Sequence, residues 1–276
     1  FNDMETNSII SQIGNTPLIR LKQASDLTGC NIYGKAEYFN PGESVKDRAA
    51  LFIVEDAIKR KLISKGGTIV EGTAGNTGIG LAVVCKEYDL KLKIVIPNTQ
   101  SIEKKETLKK LGAELIEVDA VPYSNPKNYI KQSKQIADDL NKKSKNGVYW
   151  ANQFDNTINT EAHIKTTAEE IWRQTAGTID GFTCAVGTGG TLAGVSIGLK
   201  DKNKNIKIAL SDPMGSSLYS YIKDKKLESS GNSITEGIGT ARITKNFDKA
   251  LVDEAFQTND TEALNLVYDL IEKQKI

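Results

Sequence analysis

The sequence predicts an α/β fold with mostly parallel sheets, and three observations support this prediction. Short apolar runs alternate with helical patterns along most of the chain. Glycine-rich loops follow two of these runs and lead directly into apolar helical patterns. The chain has 276 residues, which is enough for one large domain or two modest ones. An alternation of this kind places helices on both faces of a parallel sheet.

The individual elements follow from local signals. Pro97 ends an apolar run, Ser101 is a candidate N-cap, and Gly112 is a candidate C-cap. Strands are predicted where β-branched and apolar residues run together, at 68–71, 91–97, 114–118, 181–186 and 205–210. Helices are predicted at 76–88, 101–113 and 125–143.

Composition excludes several classes of protein. Lysine and arginine total 36 against 35 aspartate and glutamate, so the formal net charge of +1 predicts no nucleic-acid or anionic-membrane partner. No apolar run approaches the ~20 residues of a membrane helix. The stretch 1–8 is polar and acidic, which predicts that it is not a signal peptide.

The cysteines and the single histidine argue against a metal site. Cys30, Cys85 and Cys184 are scattered, without a C-x-x-C pair, so no zinc site is predicted. Scattered cysteines without a signal peptide favour a cytoplasmic location. His163 lies in a helical pattern without a G-x-S-x-G motif, which favours a structural or surface histidine.

The first motif that carries chemistry is NPGESVKDRAA at 40–50. Pro41 and Gly42 predict a turn, Ser44 can cap, and a helix begins near Val45. Lys46 therefore falls in the first turn, where the helix dipole disfavours a charged ammonium and could prepare a Schiff-base nucleophile. On this motif alone, an exposed lysine near a helix start is the simpler interpretation.

The second motif is EGTAGNTGIG at 71–80, between a predicted strand and helix. Such a loop offers backbone N–H groups to an anion, and Thr73, Asn76 and Thr77 add neutral donors. Neutral donors suit a carboxylate or a ring hydroxyl, and the lysine of a triphosphate-binding loop is absent. A purely structural tight turn is the alternative.

The third motif is AVGTGGTLAG at 185–194, again between a strand and a helix. Its glycines let the backbone approach a ligand closely, and its threonines add hydroxyls. The motif is suited to one phosphate monoester. The predicted phosphate-binding residues are Gly187, Thr188, Gly189, Gly190 and Thr191. Together the three motifs suit a phosphate-bearing aldehyde cofactor and an amino-acid substrate.

In order and spacing, SVKDR, TAGNTG and GTGGT resemble the motifs of fold-type II pyridoxal-phosphate (PLP) enzymes. The opening IGNTPLIRL (13–21) fits the same pattern. WANQFDN (150–156) and EGIGTARI (236–243) narrow the resemblance to the cysteine synthases (O-acetylserine sulfhydrylases) and the related cystathionine β-synthases. The resemblance covers nearly the whole chain.

The resemblance implies roles for individual residues. Lys46 would form the Schiff base with PLP and later move the α-proton, and Asn76 would contact the ring hydroxyl. The cofactor phosphate would lie on Gly187, Thr188, Gly189, Gly190 and Thr191. The substrate would contact Thr73, Ala74, Gly75, Asn76, Thr77, Gln153, Gly237, Ile238 and Gly239. The family usually has serine where this chain has Ala74, and a small residue where it has Glu43.

The resemblance also implies a fold and a reaction. The fold would be like that of the tryptophan synthase β subunit, with two three-layer α/β domains and PLP in the cleft between them. Residues 1–40 plus 150–276 would form the large PLP-binding domain, and 41–149 the smaller mobile one. The reaction would be β-replacement, making L-cysteine from O-acetyl-L-serine and sulfide through an aminoacrylate. The predicted assembly is a homodimer.

Several alternatives stay open from sequence. Cystathionine β-synthase would use homocysteine as nucleophile, and a serine or threonine dehydratase would lose the intermediate to water. The substrate could also be serine or O-phosphoserine. A nicotinamide-dependent dehydrogenase and a non-catalytic relative are the alternatives outside the class. The uncapped last helix, 269–276, predicts a truncated chain whose large domain lacks its C-terminal part.

Overall fold

A computed structural model describes residues 8–73 and 75–276. The polar stretch at 1–7 and Ala74 lie outside the described residues. The strands are β1 (Leu18–Arg20), β2 (Tyr33–Lys35), β3 (Thr68–Gly72), β4 (Lys91–Pro97), β5 (Ala113–Val118), β6 (Val148–Trp150), β7 (Gly181–Cys184), β8 (Lys207–Pro213) and β9 (Glu254–Thr258). The α-helices are α1 (Lys22–Thr28), α2 (Lys46–Lys59), α3 (Asn76–Glu87), α4 (Ile102–Lys110), α5 (Tyr129–Asn141), α6 (Ile158–His163), α7 (Glu169–Gln174), α8 (Gly190–Lys202), α9 (Leu218–Asp224) and α10 (Asp260–Asp269).

The chain divides into two compact units. Unit 1 holds the described residues up to Asn15 and Glu37–Asn159, and unit 2 holds Thr16–Ala36 and Thr160–Ile276. These boundaries differ from those expected at residues 40 and 149. The assignment of a large and a smaller, mobile domain stays a prediction.

Unit 1 is a three-layer α/β structure. Its four strands are parallel, in the order β5-β4-β3-β6. Ile69 on β3 belongs to a core with α2 and α3, whereas its neighbour Val70 packs with Ala137 of α5. Since consecutive strand residues point to opposite faces, helices cover both faces of this sheet.

Unit 2 has a three-stranded parallel sheet in the order β7-β8-β9, and an antiparallel pair of β1 with β2. Its core joins Leu192 and Leu199 of α8 to Ile208 and Leu210 of β8, and all four side chains are fully buried. The prediction of an α/β protein with mostly parallel sheets is therefore confirmed.

Local signals located the elements closely. Ser101 caps α4 by accepting the N–H of Lys104, as predicted. The helix expected at 125–143 is shorter, because the Asn128 side chain caps α5 and starts it at Tyr129. The strand expected at 181–186 ends at Cys184, where the chain turns into the following loop. Among the described residues, no helix combines the length and apolar character needed to cross a bilayer.

Candidate active site

Lys46 is the first residue of α2, a helix of 14 residues in unit 1. The N-cap of α2 is Val45 and not Ser44, but the Ser44 hydroxyl accepts the N–H of Lys46 at 3.2 Å. Asp47 is fully buried, and its Oδ2 accepts the N–H of Gly42 at 2.5 Å. This bond ties the turn before α2 to the helix start and fixes the backbone from which Lys46 projects.

Two acidic residues near Lys46 have unusual surroundings. Burial raises the pKa of Asp47 to about 6, and the N–H of Gly42 opposes that rise. Glu43 has φ of 62°, in the left-handed region that favours glycine. A glycine would adopt this backbone conformation with less strain than Glu43 does, in line with the small residue that the resemblance implies at this position.

The β3–α3 loop and the first turn of α3, residues 73–77, contain most of the predicted substrate residues of unit 1. Thr73 is buried, and its Oγ1 accepts the N–H of Gly75 at 3.2 Å. Asn76 is exposed at the first position of α3, a helix of 12 residues. The loop therefore presents a helix N-terminus and an exposed amide, which suits an anionic ligand.

Thr77 and Gln153 are brought into direct contact although 76 residues separate them in sequence. The Thr77 hydroxyl donates to Gln153 Oε1 at 2.5 Å, and both side chains are buried. Gln153 lies just after β6, which pairs with β3 in parallel. Because the carboxyl ends of parallel strands meet at one sheet edge, the two residues fall beside the same loop.

Glu71 was not recognised as a site residue from the sequence. It lies on β3 with its side chain fully buried. Its Oε1 accepts the N–H of Gly72 at 2.9 Å, and its Oε2 accepts that of Gln153 at 3.1 Å. Burial raises the pKa of Glu71 to about 8, while the N–H groups of Gln153, Gly72 and Asn152 pull it down. The one signal in the sequence that could have identified Glu71 is its position as the single acidic residue in the apolar strand β3.

The raised pKa of Glu71 makes stability depend on pH. In the unfolded chain this carboxyl loses its proton near the usual 4.5, but in the folded protein only near 8. The folded state thus binds the extra proton between these values, so the free energy of unfolding contributed by Glu71 falls as pH rises from 4.5 to 8. Urea unfolding across this range should show a shallower decline for Glu71→Gln than for the wild type. Parallel curves for the two proteins would contradict a raised pKa.

The β7–α8 loop of unit 2, Gly187–Thr191, holds the predicted phosphate residues. Gly189 has φ of 91°, and α8 begins at Gly190 and runs for 13 residues. A Cβ on Gly187 would lie 2.2 Å from the Gly237 carbonyl oxygen, and one on Gly189 would lie 2.5 Å from the Phe247 nitrogen. Only glycine fits at these two positions without moving the backbone.

Further contacts join the β7–α8 loop to its surroundings. The Gly239 N–H donates to the Val186 carbonyl at 2.7 Å, so Gly237, Ile238 and Gly239 lie beside the loop in unit 2. His163 is buried, with its Nε2 3.3 Å from Thr191 Oγ1 and its Nδ1 2.8 Å from Thr167 Oγ1. These contacts support the structural interpretation of His163 and exclude the surface one. No cluster of metal-binding side chains occurs within 8–73 and 75–276.

The family is established by comparison with known proteins. A family model described as pyridoxal-phosphate dependent enzyme matches residues 9–276. The chain belongs to this family of PLP-dependent enzymes. It is similar to "Cysteine synthase 1" of Emericella nidulans, at 51% identity over 97% of the chain and 72% of that protein. "Cysteine synthase 1" of Neurospora crassa is 53% identical over 95% of the chain and 70% of that protein.

Solved structures show the same fold. A hydrogen sulfide-producing enzyme from Fusobacterium nucleatum has a TM-score of 0.83 and 35% identity, over 98% of this chain and 85% of that one. The O-acetylserine-dependent cystathionine β-synthase of Helicobacter pylori has a TM-score of 0.85 and 31% identity, over 99% and 86%. Both comparisons agree with the α/β fold that the sequence predicts.

The residues present fit PLP. The β7–α8 loop supplies the N–H groups of a helix start, together with the hydroxyls of Thr188 and Thr191, which suits a phosphate dianion. Gly187 and Gly189 have no room for a Cβ atom, so this part of the loop presents main-chain groups and no side chains. Lys46 offers an amine at the start of a helix. Unit 1 therefore contains the amine, and unit 2 the phosphate-binding loop, that the family's cofactor requires.

Proposed function

We propose that this chain makes L-cysteine from O-acetyl-L-serine and sulfide by PLP-dependent β-replacement. The observation that carries the proposal is the identity of 51–53% to two cysteine synthases over at least 95% of the chain. The site agrees with it, because one loop suits a phosphate and another suits a carboxylate. In the reaction, acetate leaves the β-carbon of the substrate and sulfide bonds to the same carbon.

The residue roles are part of the same proposal. When bound, PLP withdraws electrons from the α-carbon of the amino acid, so that the α-proton and a β-substituent can leave. Lys46 Nζ holds the cofactor and takes up the α-proton when the substrate replaces it. Asn76 contacts the cofactor ring, and Gly187–Thr191 bind its phosphate. Thr73, Thr77 and Gln153 orient the substrate carboxylate, with the backbone of Gly75 and Ala74, and Gly237–Gly239 line the substrate side.

The nucleophile and the leaving group are tested by turnover. O-Acetylserine with sulfide should form cysteine faster than serine or O-phosphoserine does. Cystathionine β-synthase is the second candidate, because the Helicobacter pylori protein of similar fold is an O-acetylserine-dependent cystathionine β-synthase. Faster turnover with homocysteine than with sulfide would favour it. Pyruvate formation without a nucleophile would favour a dehydratase.

Assembly and location are further proposals. The protein acts as a homodimer, with PLP between two domains of which 41–149 is the mobile one. The scattered cysteines favour the cytoplasm as its location. Sedimentation equilibrium of the PLP-loaded protein tests the dimer, since a single species of monomer mass would contradict it. Fluorescent tagging of the natural gene product tests the location.

Thr77→Ala and Gln153→Ala should weaken amino-acid binding more than PLP binding. A lost hydrogen bond to a charged carboxylate costs about 1.5–3 kcal/mol, or roughly 10- to 150-fold in affinity. The measurement is the KM for O-acetylserine beside the Kd for PLP. Thr107→Ala and Gln135→Ala, which change exposed side chains of α4 and α5, are the matched controls. Equal losses of PLP and substrate affinity would mean that the loop binds another ligand.

A further inference from the structure

Glu71 stands outside the roles assigned above, although it contacts the segment that carries one of them. Its carboxylate is fully buried at the end of β3, two residues before Thr73. Both oxygens accept backbone N–H groups, Oε1 from Gly72 and Oε2 from Gln153. The Asn152 N–H also stabilises the charged form. A buried carboxylate needs such donors, because it loses its hydration.

The segment that Glu71 contacts has no regular structure of its own. Asn152, which follows β6 closely, has φ of 50°, in the left-handed region. The carbonyl of Gln153 accepts a bond from Asn159 Nδ2 at 2.9 Å, while its N–H donates to Glu71. The N–H of Gln153 is thus bound by a residue that precedes it in the sequence, and its carbonyl by a residue that follows it. Its side chain meets the Thr77 hydroxyl.

We propose that Glu71 is a positioning residue, whose carboxylate holds the main chain at 152–153 against β3 so that Gln153 meets Thr77 in the substrate carboxylate site. This inference rests on the proposed function, which places Thr77 and Gln153 at the substrate. Glu71 acts through Gln153, across 82 residues of sequence. It therefore sets how well the amino acid binds and leaves the cofactor loop of unit 2 unchanged.

The isosteric variant Glu71→Gln separates positioning from packing. A glutamine has the same shape, but only its carbonyl oxygen can accept, so its NH2 group would face one of the backbone N–H donors. One of the two hydrogen bonds from the backbone to residue 71 is then lost, and in its place two N–H donors face each other without an acceptor. Tyr129 of α5 lies near Glu71, and burial together with the charge of Glu71 raises its pKa.

The assays are run at pH 9, where Glu71, with a pKa of about 8, is mostly ionised.

The decisive experiment is a double-mutant cycle on the PLP-loaded enzyme. Glu71→Gln should raise the KM for O-acetylserine about 3- to 10-fold, as expected for one weakened tether, with kcat and the Kd for PLP changed less than 2-fold. In the Gln153→Ala background the same change should add less than 2-fold. Glu55→Gln, which removes an exposed carboxylate of α2 that accepts from Tyr88, is the control and should alter none of these values.

The outcomes separate this inference from the proposed function. If Gln153→Ala itself leaves the KM unchanged, the substrate site is misassigned and the proposed function of that loop fails. If Gln153→Ala raises the KM but Glu71→Gln does not, only the positioning role is overturned. The same holds if the KM increase of the double variant equals the product of the increases of the two single variants. Glu71→Asp is the second variant, since it keeps the charge but is one methylene too short to reach both donors. It should show a raised KM and the same non-additivity. Failure of both variants to fold as PLP-loaded enzyme would also overturn the proposal, because positioning predicts a folded protein.

Discussion

Lys46→Ala is expected to abolish cysteine formation and to remove the covalent link between the chain and PLP. The lysine begins α2, and the Ser44 hydroxyl and the buried Asp47 fix the backbone around it. Loss of a positioned proton-transfer group alone lowers rates about 10²- to 10⁴-fold. The protein should keep its fold, because the change removes only a partly exposed side chain at the helix start.

Borohydride reduction followed by peptide mass measurement identifies the lysine that holds PLP. In the wild type the cofactor mass should appear on the peptide containing Lys46, and in Lys46→Ala on none. Lys59→Ala, an exposed lysine in the last turn of the same helix, is the matched control and should keep full activity. A cofactor-modified peptide elsewhere in Lys46→Ala would assign the role to another lysine.

Gly187→Ala is expected to lower the affinity for PLP strongly. The added methyl group would lie 2.2 Å from the carbonyl oxygen of Gly237, and this atom belongs to backbone that cannot rotate away. Overpacking of this kind costs typically 1–3 kcal/mol, which corresponds to roughly 5- to 150-fold in affinity if the loop must move to bind phosphate. Equilibrium titration of the cofactor-free protein with PLP measures the effect.

Two further variants define the origin of that loss. Gly34→Ala adds a methyl group in unit 2 that meets only the Leu21 side chain at 3.6 Å, so PLP affinity should be unchanged. Thr191→Val keeps the shape of the loop and removes one hydroxyl, so it should weaken PLP binding without a clash. Unchanged PLP affinity in both Gly187→Ala and Thr191→Val would place the phosphate elsewhere.

The loops that follow β3 and β7 were predictable because their signals are local. Glycines, a cap residue and the switch from a strand pattern to a helix pattern all lie within a few residues of one another. The Ser101 cap and the parallel α/β order were predictable for the same reason. The resemblance of the motifs added the cofactor, which the family match confirms.

The roles of the individual site residues stay predictions, and the structure explains why some were harder to find. Glu71 sits in the run TIVEG, where all five residues are buried, and nothing local distinguishes a tethering acid from an unpaired one. Its partner Gln153 is 82 residues away, and the partner of Thr77 is 76 residues away. The contact of Gly187 with Gly237 likewise joins two segments that no local pattern connects.

The sequence by itself determined the class of fold, the two glycine loops and the lysine at a helix start, because each depends on the conformational preferences of neighbouring residues. Only the tertiary structure decided which buried polar groups share a hydrogen bond. That choice depends on the order of the strands, since the pairing of β3 with β6 carries the segment after β6 to the end of β3. The buried carboxyl group of Glu71 bonds to the N–H group of Gln153 because this pairing brings the two within reach of each other.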